Sequence, residues 1–316
     1  MSTSQSQKER PGSGCPASRE APFGRRIGPM LMYHVDAFTN LPFGGNPAAV
    51  CLLSAPGDES WMSSLARELN LPMTAFVVPD GAAESFRLRW FGVRGEAPLC
   101  GHATLAAAHV LWQSATARPG EAIRFLTASG ALHARQLAAG WTELDFPAEV
   151  AVEEDRPGLA EALGVTARWI GRNRLHYLVE VESESAVRAV QPDFQRLEPL
   201  LAPARGVVVT ARADAGGVPA AAGAPGAETR GGHDFVSRFF APAMGIYEDQ
   251  VTGSAHCALG PYWAAKLGRT ELAAFQASPR GGTLRVRVAG DRVFLAGQAV
   301  SLLRSEMLVP AKEEHR

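Results

Sequence analysis

Cysteine is scarce in this chain, with four in 316 residues. Cys15, Cys51, Cys100 and Cys257 are scattered, and none forms a CxxC or has a His-rich companion. Neither a disulfide framework nor a zinc site is indicated. No apolar run approaches the roughly 18–20 residues that a membrane span needs, which argues against a membrane protein. Charge of one sign is also missing. The formal net charge of −1 argues against nucleic acid or an anionic membrane surface as main partner. No phosphate loop, dinucleotide fingerprint or nucleophile elbow is visible. Residues 1–29 are rich in Ser, Gly, Pro and Arg but hold no apolar core of a secretory signal, so they read as a disordered leader. A cytoplasmic location is expected.

What is present is a repeat. The stretch from Glu96 to Trp112 contains Pro98-Leu-Cys-Gly-His102 followed by an Ala-rich apolar run, and Glu248 to Trp263 answers it. A shift of 152 positions lays Glu96 on Glu248, Gly101 on Gly253, Ala103 on Ala255 and Ala106 on Ala258. Arg89-Trp-Phe91 has a counterpart in Arg238-Phe-Phe240, as Ser129 has in Ser278, at the slightly smaller offset of 149. A duplication at so long a period points to two related domains and not to a solenoid. Each copy is apolar on nearly all sides, which predicts a helix buried all round.

The remaining elements are short. Strands are expected over Tyr33–Phe38, Ala48–Leu53, Thr74–Val78, Phe86–Phe91, Ile123–Thr127, Ala131–Arg135 and Trp141–Phe146, with a helix from Trp61 to Leu69 stopped by Asn70. Further on, Pro157–Gly164 reads as a short helix and Asn173–Val181 as a strand. Ala211–Gly232 reads as a mobile loop, Leu284–Val288 with Val293–Ala296 as a hairpin, and Gln298–Leu303 as a last strand. The boundaries that follow are 30–146 for the first half, joined by the last strand at 298–305, and 147–297 for the second. Residues 306–316 read as a tail.

Chemistry is expected where the helices begin. The first N–H groups of a helix lack internal acceptors and carry about half a positive charge, so they attract anions. Gly101 and Gly253 let a ligand approach that backbone. Two such starts converging on a cleft would grip a carboxylate and stabilise negative charge developing beside it. His102, in the first turn, is favoured as neutral imidazole. Asp249 could orient or shuttle a proton, and Ser254 could bind a carboxylate, although both also make good helix caps. Cys100 is a possible base, because a helix start lowers a thiol's pKa. Thr252 stands at its counterpart position, so no pair of thiols exists to work on two faces of a carbon. Glu96 and Glu248 read as a repeated structural feature that could hydrogen-bond strand ends, with a catalytic role as the lesser alternative, and His256 and Cys257 read as packing residues.

These segments resemble the PhzF-like proteins, a family named for a phenazine-biosynthesis isomerase. Val35-Asp-Ala-Phe38, Gly45-Asn-Pro47, Glu96, Pro98 to His102, Glu248 to Ala255 and Arg280-Gly-Gly282 carry the likeness. The resemblance implies an α+β, diaminopimelate-epimerase-like fold: two similar domains, each a curved antiparallel sheet or barrel wrapped round a central helix. It implies no metal or organic cofactor, a homodimer and a small carboxylated substrate. It places His102, Asp249 and Ser254 as catalytic, and Asn46, Gly101, Thr252, Gly253 and Met73 around the substrate. The family's glutamate acid/base falls at Met73, and a thioether cannot exchange a proton at neutral pH. Three functions are therefore carried forward. They are an isomerase with its proton traffic reassigned, a carbon–oxygen lyase with Cys100 as base, and a binding protein without turnover.

Overall fold

The computed structural model describes residues 30–214 and 232–308. Its strands form one long, curved ribbon with an internal two-fold relationship. In the N-terminal half, Met30–Ala37 pairs antiparallel with both Asn46–Leu52 and the last strand, Ala299–Met307. Asn46–Leu52 runs parallel to Met73–Pro79, which pairs antiparallel with Ser85–Gly92. Ser85–Gly92 is parallel to Ile123–Thr127, and the ribbon continues through Gly130–Gln136 to Thr142–Pro147.

The C-terminal half repeats this order. Val152–Glu153, Trp169–Arg172 and His176–Glu180 lead to a parallel pair with Gly206–Arg212, then Phe235–Ala241, then a parallel pair with Glu271–Gln276. Gly282–Ala289 and Arg292–Gly297 follow, and Arg292–Gly297 closes on Thr142–Pro147, joining the halves. The sheet is thus mixed where an antiparallel one was expected. Parallel neighbours need a crossover, and helices supply it. Glu59–Leu69 and the N-terminal core helix, Gly101–Gln113, serve the first half. Phe194–Leu201 and the C-terminal core helix, Gly253–Leu267, serve the second.

The core helices are buried because sheet surrounds them. Leu105, Ala106, Ala107, Ala108, Val110 and Leu111 have no exposed surface; burying each Leu or Val contributes about 1.5–3 kcal/mol. Gly260 lets the second helix meet the sheet, since a Cβ there would lie 2.9 Å from Val286. Pro261 inside that helix has no N–H to offer Cys257 O. That carbonyl instead accepts from Glu149 N–H at 3.0 Å, tying the inter-half segment to the helix.

Several expected boundaries move. The strand foreseen from Asn173 begins at His176, because Asn173 Oδ1 accepts from the N–H groups of Leu175 and His176, both at 2.7 Å, and holds a turn there. The last strand runs to Met307 and not 303 or 305, because Met30 and Leu31 extend the pairing partner. Glu306 and Met307 are therefore strand and not tail. Ala211 and Arg212 belong to a strand and not to the expected loop; most of that loop, the 1–29 leader and residues 309–316 lie outside the described residues.

Candidate active site between two helix starts

The two core helices meet head to head. A Cβ added to Gly101 would lie 3.3 Å from Gly253 Cα, and the reverse distance is the same. The glycines thus serve helix-to-helix contact, and both also line the cavity beside it, where the sequence had suggested ligand approach. Beside this contact lies a cavity of about 160 Å³ lined by both halves. Met73, Leu99, Cys100, His102 and Phe146 form one wall; His176, Phe239, Met244, Ile246, Asp249, Thr252 and Ser254 form the other. Gly101 and Gly253, the first residues of the two helices, line this space too.

Asp249 is held from both halves. Its Oδ1 accepts from Asn46 Nδ2 at 2.7 Å, and its Oδ2 accepts from Thr252 Oγ1, also at 2.7 Å. Gln276 stiffens the same turn: its Oε1 accepts from Thr252 N–H at 2.8 Å, and its Nε2 donates to Asp249 O at 2.7 Å. Asn46 Nδ2 also donates to Val251 O at 2.9 Å and lies 3.2 Å from His102 Nδ1. Asn46 was expected at the substrate; it is fully buried behind Asp249 and His102, and the cavity wall does not include it. Its turn is fixed by Arg280, which donates to Asp36 Oδ1 at 2.7 Å, Gly44 O at 2.8 Å and Gly45 O at 2.9 Å.

Burial lowers the His102 pKa from its ordinary value against the opposing pull of Asp249, keeping the imidazole neutral near pH 7. Cys100 Sγ lies 3.5 Å from His102 Nδ1. Burial pushes its thiol up to about 12, although the N–H groups of Ala103 and His102 pull the other way. The lowering expected from the helix start is outweighed by lost hydration.

Two acids are structural. Arg89 grips Glu96 through two hydrogen bonds of 2.7 Å, and Arg238 grips Glu248 at 2.7 and 2.9 Å. Each bidentate pair staples the short hairpin that delivers a core helix. Ser129 Oγ donates to Pro98 O at 2.6 Å, and Ser278 Oγ to Gln250 O at 2.7 Å, so this element also repeats. His256 packs inside the second helix with Nδ1 2.8 Å from Thr252 O, and Cys257 is buried at the cavity's edge.

His176 was missed from the sequence. It is 4% exposed and lines the cavity, with Nε2 3.0 Å from Ser254 Oγ. Nothing around it resembles Gly45-Asn-Pro47, yet each residue opens the equivalent strand of its half. Glu149, also at the cavity, is paired with Arg174, and Arg205 brings an exposed guanidinium to the rim. Among the described residues, no group of three or more His, Cys, Asp or Glu is placed to hold a metal ion. No helix there is long and apolar enough to cross a membrane.

A duplicated α+β ribbon with a largely apolar cavity, carrying a few polar side chains, at the junction of two buried helices defines an epimerase-like architecture. Comparison with known proteins agrees. Residues 35–305 match the family model described as phenazine biosynthesis-like protein. An uncharacterized isomerase of Halalkalibacterium halodurans is 46% identical over 280 residues, covering 88% of this chain and 98% of the relative. The crystal structure of a PhzF-family phenazine biosynthesis protein from Enterococcus faecalis superposes with a TM-score of 0.79 at 36% identity, covering 89% of this chain and all of that one. A predicted epimerase of Pseudomonas aeruginosa shares the fold, with a TM-score of 0.66 at 24% identity, covering 89% of this chain and 100% of the other. The chain belongs to the PhzF-like, phenazine biosynthesis-like family.

Proposed function

We propose that this protein is a cofactor-independent isomerase that moves a proton on a small unsaturated carboxylic acid, with Asp249 as the base. The observation that carries the reading is the placement of Asp249. Its carboxylate borders the cavity, and one donor on each oxygen fixes it while lone pairs remain free. Glu149, the other carboxylate on the cavity wall, is already engaged by Arg174.

In this mechanism Asp249 takes a proton from a carbon conjugated to the substrate carboxylate. The C–H electron pair spreads into the conjugated acid, and the N–H groups at the two helix starts stabilise that charge. Protonated Asp249 returns the proton at a second carbon, which regenerates the base. Met73 stands where the family's acid/base is expected, and it contributes an apolar wall. The lyase reading with Cys100 is not favoured, since a thiol pushed up to about 12 stays protonated at neutral pH.

The test is proton NMR in D₂O with a panel of cyclic and acyclic unsaturated carboxylic acids, including dihydro-hydroxyanthranilate. Protein-dependent replacement of one C–H signal by deuterium supports the proposal. Binding without exchange across the panel favours the non-catalytic reading.

A further inference from the structure

The internal two-fold relates more than the backbone. Asn46 opens a strand of the first half and contacts His102, the second residue of its core helix. His176 opens the equivalent strand of the second half and contacts Ser254, the second residue of the other helix. Each half therefore sets a strand-start side chain against its helix start, with chemistry of its own. We propose that His176 is a positioning residue that donates through Nε2–H to Ser254 Oγ and so commits the Ser254 hydroxyl proton to a bound carboxylate.

The hydrogen-bond inventory supports this direction. His176 Nδ1 is buried and meets no partner at hydrogen-bond geometry among the described residues, the Leu175 carbonyl offering the ring only a weak contact. A buried N–H without an acceptor is costlier than a bare acceptor lone pair, so the proton belongs on Nε2. There it faces Ser254 Oγ at 3.0 Å. Protonating both nitrogens would bury an unpaired N–H, which keeps the ring neutral. The ring is further fixed by edge-on contact with Phe239 at 4.9 Å between centroids. Among the described residues Ser254 Oγ has His176 as its one hydrogen-bond partner, so its own proton is free to point into the cavity. A serine alone rotates between donating and accepting; this one is held as a donor.

The proposal rests on the ligand site proposed above and not on turnover. Nitrogen-15 NMR of labelled protein reads the tautomer directly, with His176→Asn identifying the signal by its loss. The expected result is a neutral ring protonated at Nε2 between pH 6 and 8; protonation at Nδ1, or a cationic ring, overturns the proposal. Benzoate binding, measured by calorimetry, supplies the second arm. Ser254→Ala and His176→Phe are each expected to raise Kd by about tenfold, the weight of one hydrogen bond to a charged group. The double variant should be no worse than either single one. His176→Asn, which copies Asn46 and keeps a donor, should restore near-wild-type binding and guards against a folding failure in His176→Phe. A His176→Asn protein that folds but binds like Ser254→Ala overturns the proposal. Loss of deuterium exchange with this pattern intact would instead count against the isomerase reading.

Discussion

Gly101 and Gly253 touch across the junction of the two halves, so close that a Cβ on either would meet the other's Cα at 3.3 Å. The obstructing atom is backbone in both cases, so no side chain can swing aside. Gly253→Ala should therefore lower stability by about 1–3 kcal/mol through overpacking. Urea unfolding measures this. A variant as stable as the parent would show that the contact is slack.

Arg280 and Asp36 form the tie that holds the Asn46 turn. Asp36 is fully buried, and Arg280 supplies one of its oxygens with a donor while Phe43 N–H serves the other at 2.7 Å. Arg280→Ala strands that carboxylate, at a cost of about 3–5 kcal/mol. The turn should loosen with it. Chemical denaturation reads the stability, and limited proteolysis between residues 40 and 47 reads the turn.

The Cys100 thiol should be inert. With burial pushing its pKa up to about 12, it is protonated throughout the neutral range, and thiolate is the reactive form. Native protein at pH 8 should resist iodoacetamide at Cys100, and unfolded protein should react. Fast alkylation of the native thiol, followed by mass spectrometry, would restore Cys100 as a candidate base.

Stability should fall with acid through the buried histidines. Burial lowers His256 from 6.5 to about 4, with its hydrogen bond to Thr252 O opposing, and burial likewise lowers His176 to about 3. Between pH 6.5 and 4 the unfolded chain binds protons that the native one refuses. The stabilisation is thus complete above pH 6.5 and is lost as pH falls. Urea midpoints at pH 7.5 and 5 should differ in that sense. His256→Asn should shrink the difference, and an unchanged slope would contradict the assignment.

The core helices were legible because alanine-rich apolar runs on all sides admit few other readings, and because they recur at one offset. That Glu96 and Glu248 are a repeated structural feature was legible for a related reason, their recurrence, but that Arg89 and Arg238 grip them was not. The head-to-head contact of Gly101 with Gly253 was not, since a sequence cannot say what approaches a glycine. His176 left no local signal, because its role comes from a strand start that matches Asn46 in space and in no neighbouring residue. The chemistry of Cys100 depended on burial, which outweighed the helix start. The parallel strand pairs were hidden because crossover connections set them, not alternation within a strand.

The central claim is that Asp249 moves the proton and Met73 does not. Solvent deuterium exchange into the responsive acid, followed by NMR for the wild type, Asp249→Asn and Met73→Ala, tests it most directly. Asp249→Asn should slow exchange by about 10²–10⁴-fold, the usual weight of a general base, while Met73→Ala should keep it within about tenfold of wild type. Exchange at the wild-type rate in folded Asp249→Asn would contradict it.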